Sequence, residues 1–554
     1  MSASGVTDIK MTLSDVDFAT LIEELTDIGV ALSAEKDHSR LLELILSKAK
    51  ELTRADGGTL YIHTEDNRLR FEIMITDSLG IHRGGTSSET IDFPPIDLYD
   101  ENGKPNEHMV AAWAAISGET VNIKDAYTDT SFDFSGTRSF DQRTGYRSRS
   151  FLTVPMRNHE NEIIGVLQLI NATDRNTGQV IPFSALDQKL VESLASQAAV
   201  TITNRSLIDA QQALFDAFIQ LIADAIDEKS PYTAGHCRRV PVITAMLADA
   251  VCRVDRGPLR DFNMTDEEKY ELEVAAWLHD CGKITTPEYV VDKGTKLETI
   301  YDRIGLVDTR FEVLKRDAVI EALRRRLSRH DGNGEINLDD DEELAETLRR
   351  IEEDREYVRQ CNVGSEFITD EQITRIDAVA SRQWVTPEGR QETFLTEEEQ
   401  QNLKIGRGTL TVREREVINN HVSVTIKMLE SLPYPKHLRR VPEYAGGHHE
   451  KMNGTGYPNG LTRDQMSIPA RMVAIADVFE ALTASDRPYK KAMTLSQALT
   501  ILGQMKMDGH VDPDLFDVFM HDKVYMQYAR EFLEPEHIDE VDLNTIPGYT
   551  PLQR

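Results

Sequence analysis

The sequence predicts a multidomain protein: an α/β (α+β) domain built on an antiparallel sheet, then an all-α domain that carries a helical insertion. Three observations lead there. The chain has 554 residues, too many for one hydrophobic core. Short runs rich in β-branched and aromatic residues crowd between residues 57 and 172, whereas helical periodicity dominates after residue 228. A densely charged stretch at about 300–408 then interrupts the helical half.

Element by element, residues 17–54 read as helical, with Leu41, Leu42, Ile45, Ala49 and Leu52 on one stripe. Strands are expected at "GGTLYIHT", "LRFEIMIT", "ETVNI", "FLTVPMRN" and "ENEIIGVLQLINA", the last two forming a hairpin across a short polar turn. A long helix should begin near Phe183 and run to about Glu228. In its second half Leu207, Leu214 and Leu221 alternate with Phe218 and Ala225 at roughly heptad spacing, a stripe that suits a coiled-coil seam or core packing equally. The charged stretch "RRRLSRHDGNGEINLDDDEELAETLRRIEEDREYVRQ" reads as a solvated helical lid or partner surface rather than a second core. Within it "DGNGEINLDDDE" offers Asp331, Asn333, Glu335 and Glu342 at calcium-loop offsets, but Ile336 stands where such a loop needs glycine, so a polar turn is the better reading.

Composition narrows the function. With 40% hydrophobic and 28% charged residues the chain reads as an ordinary globular protein. No run of 18 apolar residues predicts a membrane span, and "MSASGVTDIKMTLSDVDF" has no signal-peptide pattern. Cys237, Cys252, Cys281 and Cys361 lack metal-finger spacing and suit a reducing cytoplasm, the expected location. A net charge of −32 repels nucleic-acid polymers. It leaves room for a small anion, because bound metal ions reverse the field inside a pocket.

The chemistry-bearing residues lie in the second half. "AAWLHDCGK" ends an apolar helix on His279, Asp280 and Lys283, where a charged pair calls for a metal or a partner. His330-Asp331 and His521-Asp522 are the same dipeptide in polar surroundings, so context carries the signal. "EKSPYTAGHCRRV" adds His236, "LTVREREVINNHVSVTIKML" adds His421, and "HHEKMNGTGYPNG" adds His448 and His449 at the lip of a glycine-rich turn. "IPARMVAIADVFEALTASDRPYKKA" places Asp477 inside an apolar helix, with Glu480 on the same face. Each alone reads as a structural histidine or carboxylate; together they form a pattern.

Two resemblances organise these residues. The order of helix, strands, hairpin and exit helix over 17–206 resembles a GAF sensory domain. "LINATDRNTGQVIPFSALDQ" is similar to the signature of cyclic-nucleotide-binding GAF domains at Asn171, Phe183 and Asp187, but carries Ala172 and Gln188 where that signature has Lys and Glu. Over 215–535, less the insert, "HDCGK", "HHEKMNGTGYPNGL" and "IADVFEALTASDRPYKKA" resemble the HD-x-GK, HHE…GYP and closing-helix motifs of the HD-GYP metal-dependent phosphodiesterases. The organisation so implied is an N-terminal tail (1–16), a GAF domain (17–206), a connecting helix (207–229), an HD-GYP domain (230–540) and a C-terminal tail (541–554).

The HD-GYP resemblance implies that His279, Asp280 and Asp477 hold one metal, and that Asp280 bridges to a second held by His421, His448 and His449, with His236 a ligand or beside one. Tyr232 replaces the glutamate that brings a third metal in some members, so two are implied. Asp280 and Lys283 are the implied catalytic residues; Lys283, Gly456, Tyr457, Pro458, Arg487 and Lys490 are the implied substrate contacts. Family precedent favours iron or manganese, while the His/carboxylate donors also suit nickel and zinc. Two such ions activate water against phosphorus, and Lys283 helps neutralise the phosphodiester as charge builds. The implied activity is hydrolysis of cyclic di-GMP to pGpG, either stopping there or continuing to GMP, by a cytoplasmic homodimer, with a small GAF ligand and signalling proteins as further partners. A hybrid cyclic dinucleotide or other phosphate ester as substrate, or a non-catalytic sensing module, are the alternatives.

Overall fold

The computed structural model describes residues 15–229, 235–328, 338, 340–364, 367–386, 388–484 and 493–550. Two compact units, 1–215 and 216–554, divide the chain.

The first unit begins with α1 (Asp15–Ala34) and α2 (His38–Thr53). The helical stretch expected as one piece breaks at Glu35–Asp37, because the Asp37 side chain accepts the Arg40 N–H and caps a new helix. Strands β1 (Ala55–His63), β2 (Arg68–Thr76), β3 (Ile81–Gly84), β4 (Ile96–Asp97), β5 (Val121–Ile123), β6 (Phe151–Arg157), β7 (Ile163–Thr173) and β8 (Val180–Ile181) follow, with α3 (Val110–Ser117) and α4 (Ser135–Thr144) between them. They pair in the order β3-β2-β1-β7-β6-β5, every ladder antiparallel, with β4 beside β2 and β8 beside β7. Alternation along β1 sends Leu60 to a core shared with α2 and α5 (Ala185–Lys229), and Tyr61 to the opposite core shared with α3.

The GAF signature residues are structural here. Asn171, at φ 57°, accepts the Arg149 and Ser150 N–H groups and donates to the Arg147 carbonyl, tying the approach to β6 onto β7. Asp187 accepts the Ser184 N–H at the start of α5, and Phe183 is buried in the core.

The second unit is mostly helical. After the end of α5 come α6 (His236–Cys252), α7 (Asp266–Leu278), a 3-10 turn (Cys281–Thr285) and α8 (Glu288–Val291). The insert contributes α9 (Ile304–Ser328), α10 (Glu342–Asn362), α11 (Asp370–Ala380), a β9–β10 hairpin (Gln383–Val385, Gln391–Thr393) and α12 (Glu397–Leu403). The host then resumes with α13 (Val412–Asn419), α14 (His421–Glu430), α15 (Val441–Gly446), α16 (Ile468–Thr483), α17 (Leu495–Met507), α18 (Pro513–His521) and α19 (Val524–Phe532). Helix α6 packs on α7 and α16, while α14 packs on α15 and on the Cys281–Thr285 turn. Among the described residues no helix is long and apolar enough to cross a membrane.

The insert corrects one expectation. It does hold a second core: Leu297, Val307, Phe311, Ile351, Val358, Ile376, Phe394 and Leu403 pack together. Charge hides that core in the sequence, because α10 sends mainly Ile351, Val358 and Cys361 into it and most of its other positions are charged or polar. Both crossings of the chain are fastened. The buried Lys293 ammonium reaches Asn402 Oδ1 (2.9 Å) and Glu414 Oε2 (2.8 Å), while Asn362 accepts the Lys296 and Leu297 N–H groups. A cleft of about 1280 Å³ runs along this junction, lined by Ile300, Lys404, Arg407 and Arg413 among others, and by no candidate metal ligand. The calcium-loop residues Asp331, Asn333 and Glu335, and His330, lie outside the described residues.

Candidate metal centre

Six elements deliver the candidate ligands, each from an end or an inner face. His236 opens α6, His279 follows the last residue of α7, Asp280 precedes the 3-10 turn, His421 opens α14, and Asp477 sits on the inner side of α16. His448 and His449 follow α15. All but His449 and Asp477, which keep a sliver of exposure, are almost wholly buried. The donor atoms of His236, His279 and Asp477 lie within 4.8 Å of one another, as do those of His421, His448 and His449, and those of His279, Asp280 and His448. Seven residues spread over 241 positions of sequence thus meet in one place.

Backbone carbonyls fix how the imidazoles point. Nδ1 of His279, His421 and His448 lies 2.7, 2.5 and 2.6 Å from the carbonyl three residues earlier (Ala276, Ile418, Ala445). A carbonyl only accepts, so Nδ1 carries a proton and Nε2 is the nitrogen that faces the cluster, the orientation a metal ligand requires. His236 is held instead by Glu480, whose other oxygen accepts from Arg239 Nε at 2.7 Å.

Asp280 stands between the two histidine groups. Its Oδ2 faces His236 Nε2 (3.4 Å) and His279 Nε2 (3.3 Å), while Oδ1 faces His421 Nε2 (3.1 Å) and His448 Nε2 (3.7 Å). Lys283 Nζ donates to Oδ2. Oδ1 of Asp280 and Nε2 of His421 and His448 are buried without a hydrogen-bond partner among the described residues. Unsatisfied buried acceptors converging on one point, from a His/carboxylate donor set, fit divalent metal ions.

Electrostatics divide the cluster. Burial disfavours charge on His236 and His279, yet Glu480, Asp280 and Asp477 outweigh it, holding His236 well above the usual imidazole range and His279 at about 9. Burial would raise Asp280 and Asp477, but Lys283 and the histidines hold both carboxyls well below their usual range. His448 is pushed well down by burial and by His449 and His279; burial takes His449 down to about 4. Lys283 is held above its usual range by Asp280 and Asp477 against the effect of burial, and so keeps its proton. One side therefore gathers carboxylate charge and the other holds His448 and His449 neutral, with Asp280 between them.

Close backbone approach assembles the parts. Gly282, in "HDCGK", lies so near the start of α14 that an added Cβ would sit 2.0 Å from the His421 carbonyl, and its N–H bonds Thr425 Oγ1 at 2.9 Å. At Gly456 a Cβ would fall 2.4 Å from Lys451 N, which folds the GYP loop back on the HHE segment. Glu450 then clasps that loop, accepting Asn459 N–H (2.7 Å) and Leu461 N–H (2.8 Å). Tyr457 stacks on the His449 ring, centroids 4.8 Å apart, so Gly456, Tyr457 and Pro458 border the cluster. Arg487, Lys490 and Tyr232 lie outside the described residues.

Sequence reasoning did not assign three supporting residues. Glu450 is the third letter of its own motif and was open to assignment. Glu480 had been noted only for sharing the face of Asp477. Lys229, the last residue of α5, donates to the carbonyls of Lys283 (3.0 Å), Ile284 (2.6 Å) and Thr286 (2.6 Å), and backbone partners leave no trace in a sequence.

Comparison with known proteins agrees with this layout. A GAF domain model matches residues 37–202, and HD domain models match 233–367 and 397–515. A Vibrio cholerae protein named 3'3'-cGAMP-specific phosphodiesterase 3 is 22% identical over 375 residues, 64% of this chain and 54% of its own length. Another from Vibrio cholerae, 3'3'-cGAMP-specific phosphodiesterase 1, is 44% identical over 80 residues (14% of this chain, 18% of that protein). A Pseudomonas aeruginosa protein named as a cyclic di-GMP phosphodiesterase is 47% identical over 73 residues (13% and 17%). The chain thus spans about half the length of the first relative and under a fifth of the other two. A solved GAF domain from an Acinetobacter phosphoenolpyruvate-protein phosphotransferase aligns over 36% of this chain and 99% of its own, at 16% identity and a TM-score of 0.26. The chain carries a GAF domain followed by an HD domain, the latter matched in two parts.

Proposed function

We propose that this chain is a metal-dependent phosphodiesterase that opens cyclic di-GMP to pGpG, and carries it on to GMP, under the influence of its GAF domain. The observation that carries the reading is Asp280, whose two oxygens face two different histidine groups beside a protonated lysine. Asp280, His279, Asp477 and His236 would hold one ion, and Asp280, His421, His448 and His449 the other. When bound, two divalent ions supply an activated water and a clamp on phosphate oxygens. Iron or manganese is the favoured pair.

The chain's own residues do the rest. Lys283 offers its remaining ammonium hydrogens to a non-bridging phosphate oxygen and offsets charge as the transition state forms. The carbonyl-bound Nδ1 atoms hold three of the ligands rigid, so little reorganisation accompanies reaction. The Glu450-clasped loop sets the edge of the pocket with Gly456, Tyr457 and Pro458, while Arg487 and Lys490 contact the second phosphate or guanine. The acting form is a cytoplasmic homodimer, and a small ligand of the GAF domain together with signalling proteins would set its activity.

One observation favours a second substrate. Two of the three relatives described carry names specific to 3'3'-cGAMP, so that hybrid dinucleotide is the competing reading. Purified protein loaded anaerobically with Fe²⁺, or with Mn²⁺, should release pGpG faster from cyclic di-GMP than linear product from 3'3'-cGAMP. The reverse ratio selects the hybrid substrate. Asp280→Ala should lose both metals and turnover while remaining folded; wild-type turnover in that variant would sink the metal assignment.

A further inference from the structure

We propose that the cleft between the insert and the host helices docks an acidic, amphipathic segment of a partner protein. This goes beyond the functional reading and needs nothing from its chemistry. Its readouts are selection and binding rather than turnover, so either idea can fail alone.

The cleft has two sides. The host supplies α8 and α13, which pack on each other, and the insert supplies the turn around Ile300 and the segment that follows α12. Its apolar wall stands in water: Tyr289, Ile300, Val412 and Val417 are 46, 92, 79 and 38% exposed. A single exposed apolar side chain is ordinary, but four lining one cleft mark a surface for contact.

Its free charge is of one sign. Lys293 takes Glu414 (2.8 Å), Arg303 takes Glu398 (3.2 Å), and Lys404 pairs with Asp377. Arg415 donates to a neutral partner, the Arg407 carbonyl (3.0 Å). Among the described residues no carboxylate lies within ion-pair distance of Arg407, Arg413 or Arg415. Such guanidiniums stand out in a chain with 94 acidic against 62 basic side chains, where carboxylates are plentiful. Charges more than about 8 Å away are screened at physiological ionic strength. A docking segment therefore meets the local arginines rather than the net charge of −32.

Size and exposure select a protein segment over a small anion. Small-molecule sites enclose roughly 300–1,000 Å³ and bury most of their ligand against a few placed polar groups. This cleft holds about 1280 Å³, and its three arginines are exposed. Guanidinium forks suit the carboxylates of Asp and Glu, and the apolar wall suits leucine-like side chains beside them. A nucleic acid would meet the arginines but leave Ile300 and Val412 uncovered.

The test pans displayed random peptides, about 15 residues long, against full-length protein. Enriched peptides should combine Asp or Glu with large aliphatic residues, and should bind less tightly as NaCl rises from about 0.05 M to about 0.5 M. Arg407→Glu/Arg413→Glu should weaken them about tenfold or more, and so should Ile300→Ser/Val412→Ser. Arg256→Glu/Arg260→Glu, the same charge change outside the cleft, should not. All three variants should keep wild-type circular dichroism and metal content, since every substituted side chain is exposed. No enrichment, a neutral or basic consensus, or binders indifferent to the cleft substitutions overturns the proposal. So does saturable binding of inorganic pyrophosphate that Arg407→Glu/Arg413→Glu abolishes and Ile300→Ser/Val412→Ser leaves intact, which would make the cleft a small-anion site.

Discussion

Gly282→Ala is the sharpest perturbation the site allows, since it adds one methyl group and removes no polar atom. That methyl would lie 2.0 Å from the His421 carbonyl oxygen and 2.7 Å from the Thr425 nitrogen, both backbone atoms at the start of α14. No rotamer change relieves backbone. Restoring even a tight 3 Å contact therefore requires the HD-x-GK turn and α14 to part by about 1 Å. Asp280 lies two residues before Gly282, and its Oδ1 is 3.1 Å from Nε2 of His421, the first residue of α14. Metal–ligand bonds tolerate only about 0.2 Å, so a 1 Å parting exceeds the tolerance about fivefold and removes His421 from the second ion. The variant should retain about one metal instead of two and lose about 10²-fold in turnover, with an overpacking cost of about 1–3 kcal/mol in stability. The assay is metal content by mass spectrometry after desalting, with pGpG release at saturating substrate. Gly305→Ala is the control: nothing lies within 4 Å of its added Cβ in α9, so metal content and rate should be unchanged. A folded Gly282→Ala protein with full metal and wild-type turnover would refute the reasoning.

Three further outcomes are expected. Lys229→Met removes the ammonium that binds three carbonyls around the Lys283 turn, so kcat should fall about tenfold with KM and metal content little changed; an unchanged kcat counts against a positioning role. Glu450→Gln weakens the clasp on Asn459 and Leu461, and should raise KM more than it lowers kcat at a stability cost of about 1–2 kcal/mol, measured by steady-state kinetics and thermal melting. Asp512 is the third case: burial would raise its carboxyl, but the Leu515 N–H and the Arg463 and Arg471 guanidiniums outweigh burial and depress it. A depressed carboxyl stabilises the fold fully above its unfolded value of about 3.9, and that stabilisation is lost as pH falls through the lower folded value. The melting-temperature gap between wild type and Asp512→Asn should thus be wide at pH 7 and narrow steadily below about pH 4. A gap independent of pH would show that the charge is not what stabilises.

The parts of this site that were legible in the sequence are those where chemistry is carried by residue type. Seven histidines and aspartates stand out because apolar helices have no ordinary use for them, and the structure gathers them into three overlapping triads. What holds them was mostly illegible. The Nδ1 acceptors of His279, His421 and His448 are backbone carbonyls, as are all three partners of Lys229, and any residue type supplies a carbonyl. The same limit shaped the fold. The strands β1, β2, β6 and β7 are long enough to show as runs rich in β-branched and aromatic residues, whereas β4 and β8 have two residues each, too few for any run to register. In the insert, average charge outweighed pattern: Ile351, Val358 and Cys361 are a small share of α10, yet they join it to the core that holds Phe311 and Val307. On α5 the reverse held. The heptad was plain, but only burial of Ile219, Ala223 and Ile226 shows which stripe the chain keeps for itself.

The insert also bears on why the site survives being divided in sequence. Replacing a turn of a few residues with a loose loop of about a hundred is roughly four doublings of length, which by loop-closure entropy costs about 2–3 kcal/mol. That is a large fraction of the stability of an ordinary domain. Here the loop is not loose. It folds on its own core, and its two ends are fixed to the host by Lys293 with Glu414 and by Asn362 with Lys296 and Leu297. Lys293 lies ten residues after Lys283, and Glu414 seven before His421. Those fastenings present the two ligand-bearing segments to each other as a short turn would, and the closure cost is met within the insert rather than by the helices that hold the metal ligands. The distance in sequence between His279 and His421 then carries no mechanical consequence at the site, where Asp280 Oδ1 and His421 Nε2 stand 3.1 Å apart.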